Sequence, residues 1–185
     1  WQQSGSLGLG RTLYGLTLGI WGYGKIGQRI ARYGNAFGMS VLVWGSESSR
    51  QRATQDGFDA APNKTAFFQH ADVLSLHLRL NELTRACVTR ADLARMKADS
   101  LLVNTSRAEL IESGALHAVL SANPTRQAAL DVFDSEPANL DNEPLLALPN
   151  LLATPHLGYV EQNSYELYFR KAFENVQAFS EGRPQ

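Results

Sequence analysis

Thr17-Leu18-Gly19-Ile20-Trp21-Gly22-Tyr23-Gly24-Lys25-Ile26-Gly27-Gln28-Arg29-Ile30 is the stretch on which the fold of this 185-residue chain turns. A short apolar run leads straight into three glycines spaced G-x-G-x-x-G, after which Ile26, Ile30, Tyr33 and Phe37 recur at helical intervals. The pattern reads as strand, tight turn and amphipathic helix. In such a unit Gly22 allows the turn, Gly24 lets a pyrophosphate approach the backbone, and Gly27 lets the helix pack against the strand. Free N–H groups at the helix start then supply an anion site. Tyr23, Lys25 and Ile26 share the loop and join the candidate cofactor contacts. The competing reading, glycines that merely punctuate a loop, does not explain why a strand precedes them and a helix follows.

Outward from this unit the alternation repeats. Gly38 closes the helix and 41–44 is a second short strand of β-branched and aromatic residues. A polar helix over 49–56, a turn at Pro62 and Asn63, a helix over 65–70 and a strand over 73–77 follow. Thr89 with Asp92 three residues on predicts a helix N-cap, ahead of a strand over 101–104. A helix over 112–120, strands over 127–132 and 151–153, and a long amphipathic helix carrying Tyr165, Tyr168, Phe169, Phe173, Val176 and Phe179 complete the reading. These aromatics are expected to serve packing. Strands alternating with helices predict an α/β fold of Rossmann type, a doubly wound and mostly parallel sheet with helices on both faces. Ligands of such sheets sit beyond the carboxyl ends of the strands.

Composition narrows the classes of function. The chain is 44% hydrophobic and 19% charged, ordinary for a globular protein, and its formal net charge of −1 lacks the basic footprint of a nucleic-acid binder. No apolar run approaches membrane-spanning length, so no membrane partner is expected. Cys87 is the only cysteine, which rules out an intrachain disulfide and suits a reducing, cytoplasmic setting. No metal site is expected.

At the end of the second strand, Trp44-Gly45-Ser46 stands where a dinucleotide site usually has an acid to hold the adenosine ribose. Glu47 is the first acid. Glu47, or Ser46 with backbone groups, is a candidate for the ribose, and Arg50 is the alternative, facing a 2′-phosphate. A solvated helix start accounts for Glu47 and Arg50 equally well. NAD is favoured as cofactor, with NADP the alternative. His77, at a strand's carboxyl end, either lines the cofactor groove or serves structure alone, whereas His70 and His117 fall within helices and are expected to be exposed.

Three further segments follow strands: Asn104-Thr105-Ser106-Arg107, Asp131-Val132-Phe133-Asp134-Ser135-Glu136-Pro137 and Thr154-Pro155-His156-Leu157-Gly158. Together with the glycine loop, in this order, they resemble the D-2-hydroxyacid dehydrogenases, and the resemblance runs from about Thr17 to the C-terminal helix. It implies NAD-dependent interconversion of a 2-hydroxy acid and its 2-oxo acid. Arg107 would bind the substrate carboxylate and polarise the reacting carbonyl, His156 would be the general acid and base, and Glu136 would orient the imidazole and favour its charged form. The residue types suit the chemistry. A guanidinium binds both carboxylate oxygens, and an imidazole exchanges a proton near neutrality. The resemblance also assigns Asp131 to the nicotinamide carboxamide, and Lys25, Ile26, Leu78, Thr105, Ser106 and Gly158 to the cofactor groove. Where many family members have Arg-Gly, this chain has Arg107-Ala108.

Family members carry a separate substrate domain, mostly upstream. The resemblance therefore divides the chain into a lead-in from that domain (1–16), a dinucleotide-binding domain (17–160) and a C-terminal helix returning toward the missing part (161–185). It also implies a homodimer. Phosphoglycerate, glycerate, lactate and larger 2-oxo acids all stand as substrates. Two other readings compete: an NAD(H)-sensing corepressor with the same fold and triad, and a Rossmann methyltransferase, which would leave Arg107, Glu136 and His156 without a purpose.

Overall fold

The structure is a computed structural model and describes residues 10–183. Of the expected lead-in, residues 1–9 lie outside the described part. Seven strands form one sheet: β1 (Thr17–Trp21), β2 (Ser40–Trp44), β3 (Asp59–Ala60), β4 (Val73–Leu76), β5 (Leu101–Asn104), β6 (Gln127–Leu130) and β7 (Leu151–Ala153). Their order is β3-β2-β1-β4-β5-β6-β7, and every neighbouring pair is parallel. The chain winds outward from β1 through β2 and β3, then returns to β1's other side and winds outward through β4 to β7. This reversal opens a crevice beyond the carboxyl ends of β1 and β4, where ligands of such sheets bind.

Among the described residues there are six α-helices, of which the first five lie in the crossovers from β1 to β6 and the last follows β7: α1 (Lys25–Ala36), α2 (Glu47–Gln55), α3 (Lys64–His70), α4 (Arg90–Ala94), α5 (Ala115–Ala122) and α6 (Gln162–Ser180). The β6–β7 crossover holds only a 3-10 helix, Pro144–Ala147. Alternation along the strands divides the core between the two faces of the sheet. Leu18 and Ile20 of β1 join Ala31, Val41, Val43 and Ala53, while Trp21 joins Phe67, Phe68, Leu74 and Leu76. The rings of Trp21, Phe67 and Phe68 meet edge to face, with centroids 5.6–6.1 Å apart. That geometry suits the positive edges and negative faces of aromatic rings.

The strand expected over 73–77 ends at Leu76, and the one over 127–132 ends at Leu130. Beyond these points the chain turns to present side chains above the sheet. The helix expected over 112–120 starts later, at Ala115, because Gly114 takes a left-handed backbone (φ +70°) that an α-helix cannot include. His117, expected to be exposed, is half-buried, because it lines a cavity of about 360 Å³ between α5 and the 133–145 segment. The expectation that the α6 aromatics serve packing is met only in part within the described residues, where Tyr165 stacks on Tyr159 and lies beside Phe169. Of the residues of α6 only Ala178 is buried, and Phe173 and Phe179 are 71% and 74% exposed, since no other element of the described chain lies over that face.

Candidate active site

The glycine turn between β1 and α1 is shaped by close backbone approaches. Gly22 has φ +103°, and a Cβ on it would lie 2.5 Å from the His77 carbonyl oxygen. A Cβ on Gly27 would run into the carbonyl of Gly22. Gly24 differs: a Cβ there meets nothing within 4 Å, so the middle of the turn opens outward. No side chain caps α1, which leaves its first N–H groups free to meet an anion. The turn is tied to both neighbouring strands, because Gly22 N–H donates to Trp44 O at 3.0 Å and His77 N–H to Trp21 O at 2.8 Å. An open, uncapped helix start between tightly spaced glycines fits the pyrophosphate of a dinucleotide.

Around this turn the expected contacts divide. Lys25 and Ile26 are exposed at the start of α1. Tyr23 is not: its ring is buried and its hydroxyl donates to Asp56 Oδ2 at 2.8 Å, so only its backbone faces the turn. Burial, then the bond to Asp56, raises the Tyr23 phenol well above its ordinary value. Leu78 and His77 are half-buried beside Gly22. Burial lowers the His77 imidazole to about 4, so it is neutral at physiological pH, with Nε2 3.0 Å from Ser75 Oγ. At the end of β2, Ser46 caps α2, and the ring of Trp44 lies 5.0 Å beneath the Arg50 guanidinium.

Beyond β5, a buried asparagine builds the turn that carries the arginine. Asn104 Nδ2 donates to Arg107 O at 2.8 Å, and its Oδ1 accepts from Ser106 N–H at 3.0 Å. Ser106 Oγ donates to Leu76 O at 2.7 Å, lashing the turn to β4. Thr105 and Arg107 are exposed. The Arg107 guanidinium donates to Ser106 O at 2.6 Å, and among the described residues it forms no ion pair.

Glu136 and His156 do meet. Glu136 Oε2 lies 2.8 Å from His156 Nδ1, while Oε1 accepts from Phe133 N–H at 3.0 Å. The imidazole bond, followed by the Phe133 N–H, holds the Glu136 carboxyl below its ordinary pKa. With Nδ1 engaged, Nε2 is the ring nitrogen left to exchange a proton. A cavity of about 500 Å³ adjoins the pair, lined by Phe133, Pro137 and Leu146 among others. His156 itself has φ +55°.

Asp131 supports this unusual backbone. Its Oδ1 accepts from Thr154 Oγ1 at 2.5 Å and Leu157 N–H at 2.7 Å, and its Oδ2 accepts from Gly158 N–H at 2.7 Å. Burial works against the charge, but these three hydrogen bonds outweigh it and the Asp131 carboxyl titrates below its ordinary value. The residue assigned from sequence to the nicotinamide carboxamide thus holds the histidine loop. Sequence reasoning gave no role to Asn104 or Thr154. A lone asparagine ending an apolar strand was the signal for the first, and nothing local marked the second.

The model of the family described as D-isomer specific 2-hydroxyacid dehydrogenase, NAD binding domain, matches residues 1–158. The fold is similar to that of a phosphoglycerate oxidoreductase from Vibrio cholerae, with 67% identity and a TM-score of 0.95 over 98% of this chain and 58% of that one. Among curated proteins, the glyoxylate reductase of Aeropyrum pernix is 36% identical over 95% of this chain and 52% of its own length. The D-3-phosphoglycerate dehydrogenase of Methanocaldococcus jannaschii is 38% identical over 80% of this chain and 28% of its own. The matched part therefore spans 28–58% of the length of these relatives.

Proposed function

The chain belongs to the D-isomer specific 2-hydroxyacid dehydrogenase family, and on that premise we propose that it is the dinucleotide-binding part of an enzyme that interconverts a D-2-hydroxy acid and its 2-oxo acid. Residues 17–160 form this domain, and α6 leads toward a substrate half of the kind the relatives' extra length would accommodate. The observation that carries the reading is the 2.8 Å contact between Glu136 and His156 Nδ1, which leaves Nε2 free.

A nicotinamide dinucleotide, when bound, supplies or accepts the hydride. The chain's own residues do the rest. The uncapped start of α1 and the open side of Gly24 hold the pyrophosphate. Arg107, exposed and without an acid partner among the described residues, binds the substrate carboxylate through its planar fork. In reduction His156 Nε2 gives a proton to the carbonyl oxygen, and in oxidation it takes one from the hydroxyl. Glu136, anchored by the Phe133 N–H, keeps a proton on the ring nitrogen that faces it and so fixes the orientation of the imidazole.

The protein acts as a cytoplasmic homodimer in this reading; exposed aromatic side chains such as Tyr14, Tyr33 and Phe37 support association, and sedimentation of the purified protein tests it. Turnover is tested with the intact enzyme on glyoxylate, hydroxypyruvate, 3-phosphohydroxypyruvate and pyruvate, following loss of the reduced nicotinamide. Oxidation of the cofactor with at least one acid is the expected result. Tight cofactor binding without turnover on any of them would replace the dehydrogenase with a binding module.

A further inference from the structure

No carboxylate ends β2. Gly45 occupies the position after Trp44, and the nearest acid, Glu47, is exposed and accepts a hydrogen bond from Gln51 Nε2 at 3.1 Å. Three hydroxyls gather there instead. Ser46 Oγ lies 3.0 Å from Ser48 Oγ and 3.1 Å from Ser49 Oγ, and accepts from Ser49 N–H at 3.3 Å. Arg50 completes the cluster. Its guanidinium carbon is held 5.0 Å from the centre of the Trp44 ring, its Nε is buried without a hydrogen-bond partner, and no acid pairs with it among the described residues. A buried donor left unsatisfied is costly, and a stacked cation with no counter-ion is ready for an external anion. The strand end that carries this cluster is hydrogen-bonded to the glycine turn through Gly22 N–H and Trp44 O, so the cluster lies on the same crevice, where the adenosine ribose of a dinucleotide falls.

We propose that the chain binds the 2′-phosphorylated dinucleotide, NADP(H), in preference to NAD(H), with Arg50 and the hydroxyls of Ser46, Ser48 and Ser49 receiving the ribose phosphate. The proposal rests on the dehydrogenase reading and specifies the cofactor form for that site. A ribose diol alone calls for an acceptor such as a carboxylate at the strand end; this chain has donors and a cation there, which match a phosphomonoester.

Titration of the 185-residue chain with NADPH and with NADH, read by calorimetry, tests it without reference to catalysis. NADPH binds at least about tenfold more tightly, as expected for a charge-assisted guanidinium–phosphate contact. Adenosine 2′,5′-bisphosphate competes with it better than 5′-ADP does. Arg50→Gln brings the NADPH-to-NADH affinity ratio close to one. Ser46→Asp keeps a good N-cap while adding a negative charge, and reverses the ratio. Equal or tighter binding of NADH by the unaltered chain overturns the NADP preference and leaves the dehydrogenase reading standing. An unchanged ratio in Arg50→Gln overturns the assignment to Arg50, and failure of both nucleotides to bind overturns the two readings together.

Discussion

His156 sits in a backbone region that costs a residue with a Cβ roughly 1–2 kcal/mol, and the Asp131 carboxylate compensates by binding the two N–H groups that follow it and the Thr154 hydroxyl. Replacing Asp131 with Ala strands three donors, and urea denaturation is expected to register a loss of roughly 2–4 kcal/mol. The pH dependence has a definite sign. Because the folded Asp131 carboxyl titrates below its ordinary value, its contribution is fully present above the unfolded pKa of about 4 and is lost as pH falls through the lower folded value. Asp131→Asn therefore flattens the stability profile in that acid window and leaves it unchanged in form above it. His156→Gln in the intact enzyme lowers kcat by about 10²–10⁴-fold without weakening dinucleotide binding by calorimetry; a loss of binding alone would argue against its proton-transfer role. Arg107, Glu136 and His156 stand out in the sequence as candidates by residue type and motif order, and of the three the structure pairs Glu136 with His156. The tether from Asp131 to the histidine loop was not legible, because a carboxylate serving a loop 23–27 residues away leaves no mark in local spacing.

Among the elements, the turn from β1 to α1 separates packing from binding. Gly24→Ala projects a methyl into open space, so thermal unfolding shifts by no more than about 1 kcal/mol for the poorer N-cap, while dinucleotide affinity falls at least about tenfold as the methyl blocks the pyrophosphate. Gly27→Ala does the opposite first: its methyl meets the Gly22 carbonyl, and stability drops by roughly 1–3 kcal/mol before any ligand is added. A second element, α4, is held by a reciprocal cap in which Asp92 N–H donates to Thr89 Oγ1 and Thr89 N–H donates to Asp92 Oδ2. Thr89→Ala costs about 1 kcal/mol in equilibrium denaturation. Both features could be read from sequence, since G-x-G-x-x-G and Thr-x-x-Asp act within one turn of chain. β3 could not, because two residues, Asp59 and Ala60, are too short to carry a period; only their pairing with Leu42 and Val43 makes them a strand.

For the whole molecule, a doubly wound parallel sheet followed from the alternation of strands and helices, whereas its strand order and the fate of α6 did not. Helical periodicity announces an apolar face but not what covers it. Here Phe173, Val176 and Phe179 face solvent, so Phe173→Asp changes the chain's stability by less than about 0.5 kcal/mol and raises its solubility, as measured by thermal unfolding and light scattering. A marked destabilisation would mean that α6 folds back onto the sheet. The histidine proposed to exchange the proton has a different dependence. The carboxylate that tethers its loop, Asp131, and the one that contacts its ring, Glu136, both come from the chain just after β6, so the surroundings of the imidazole are completed by residues of the described chain itself. On the proposed reading, chimeras that graft a foreign substrate half onto residues 17–160 change which acid is turned over and inherit the same pH–rate profile, as steady-state kinetics would measure.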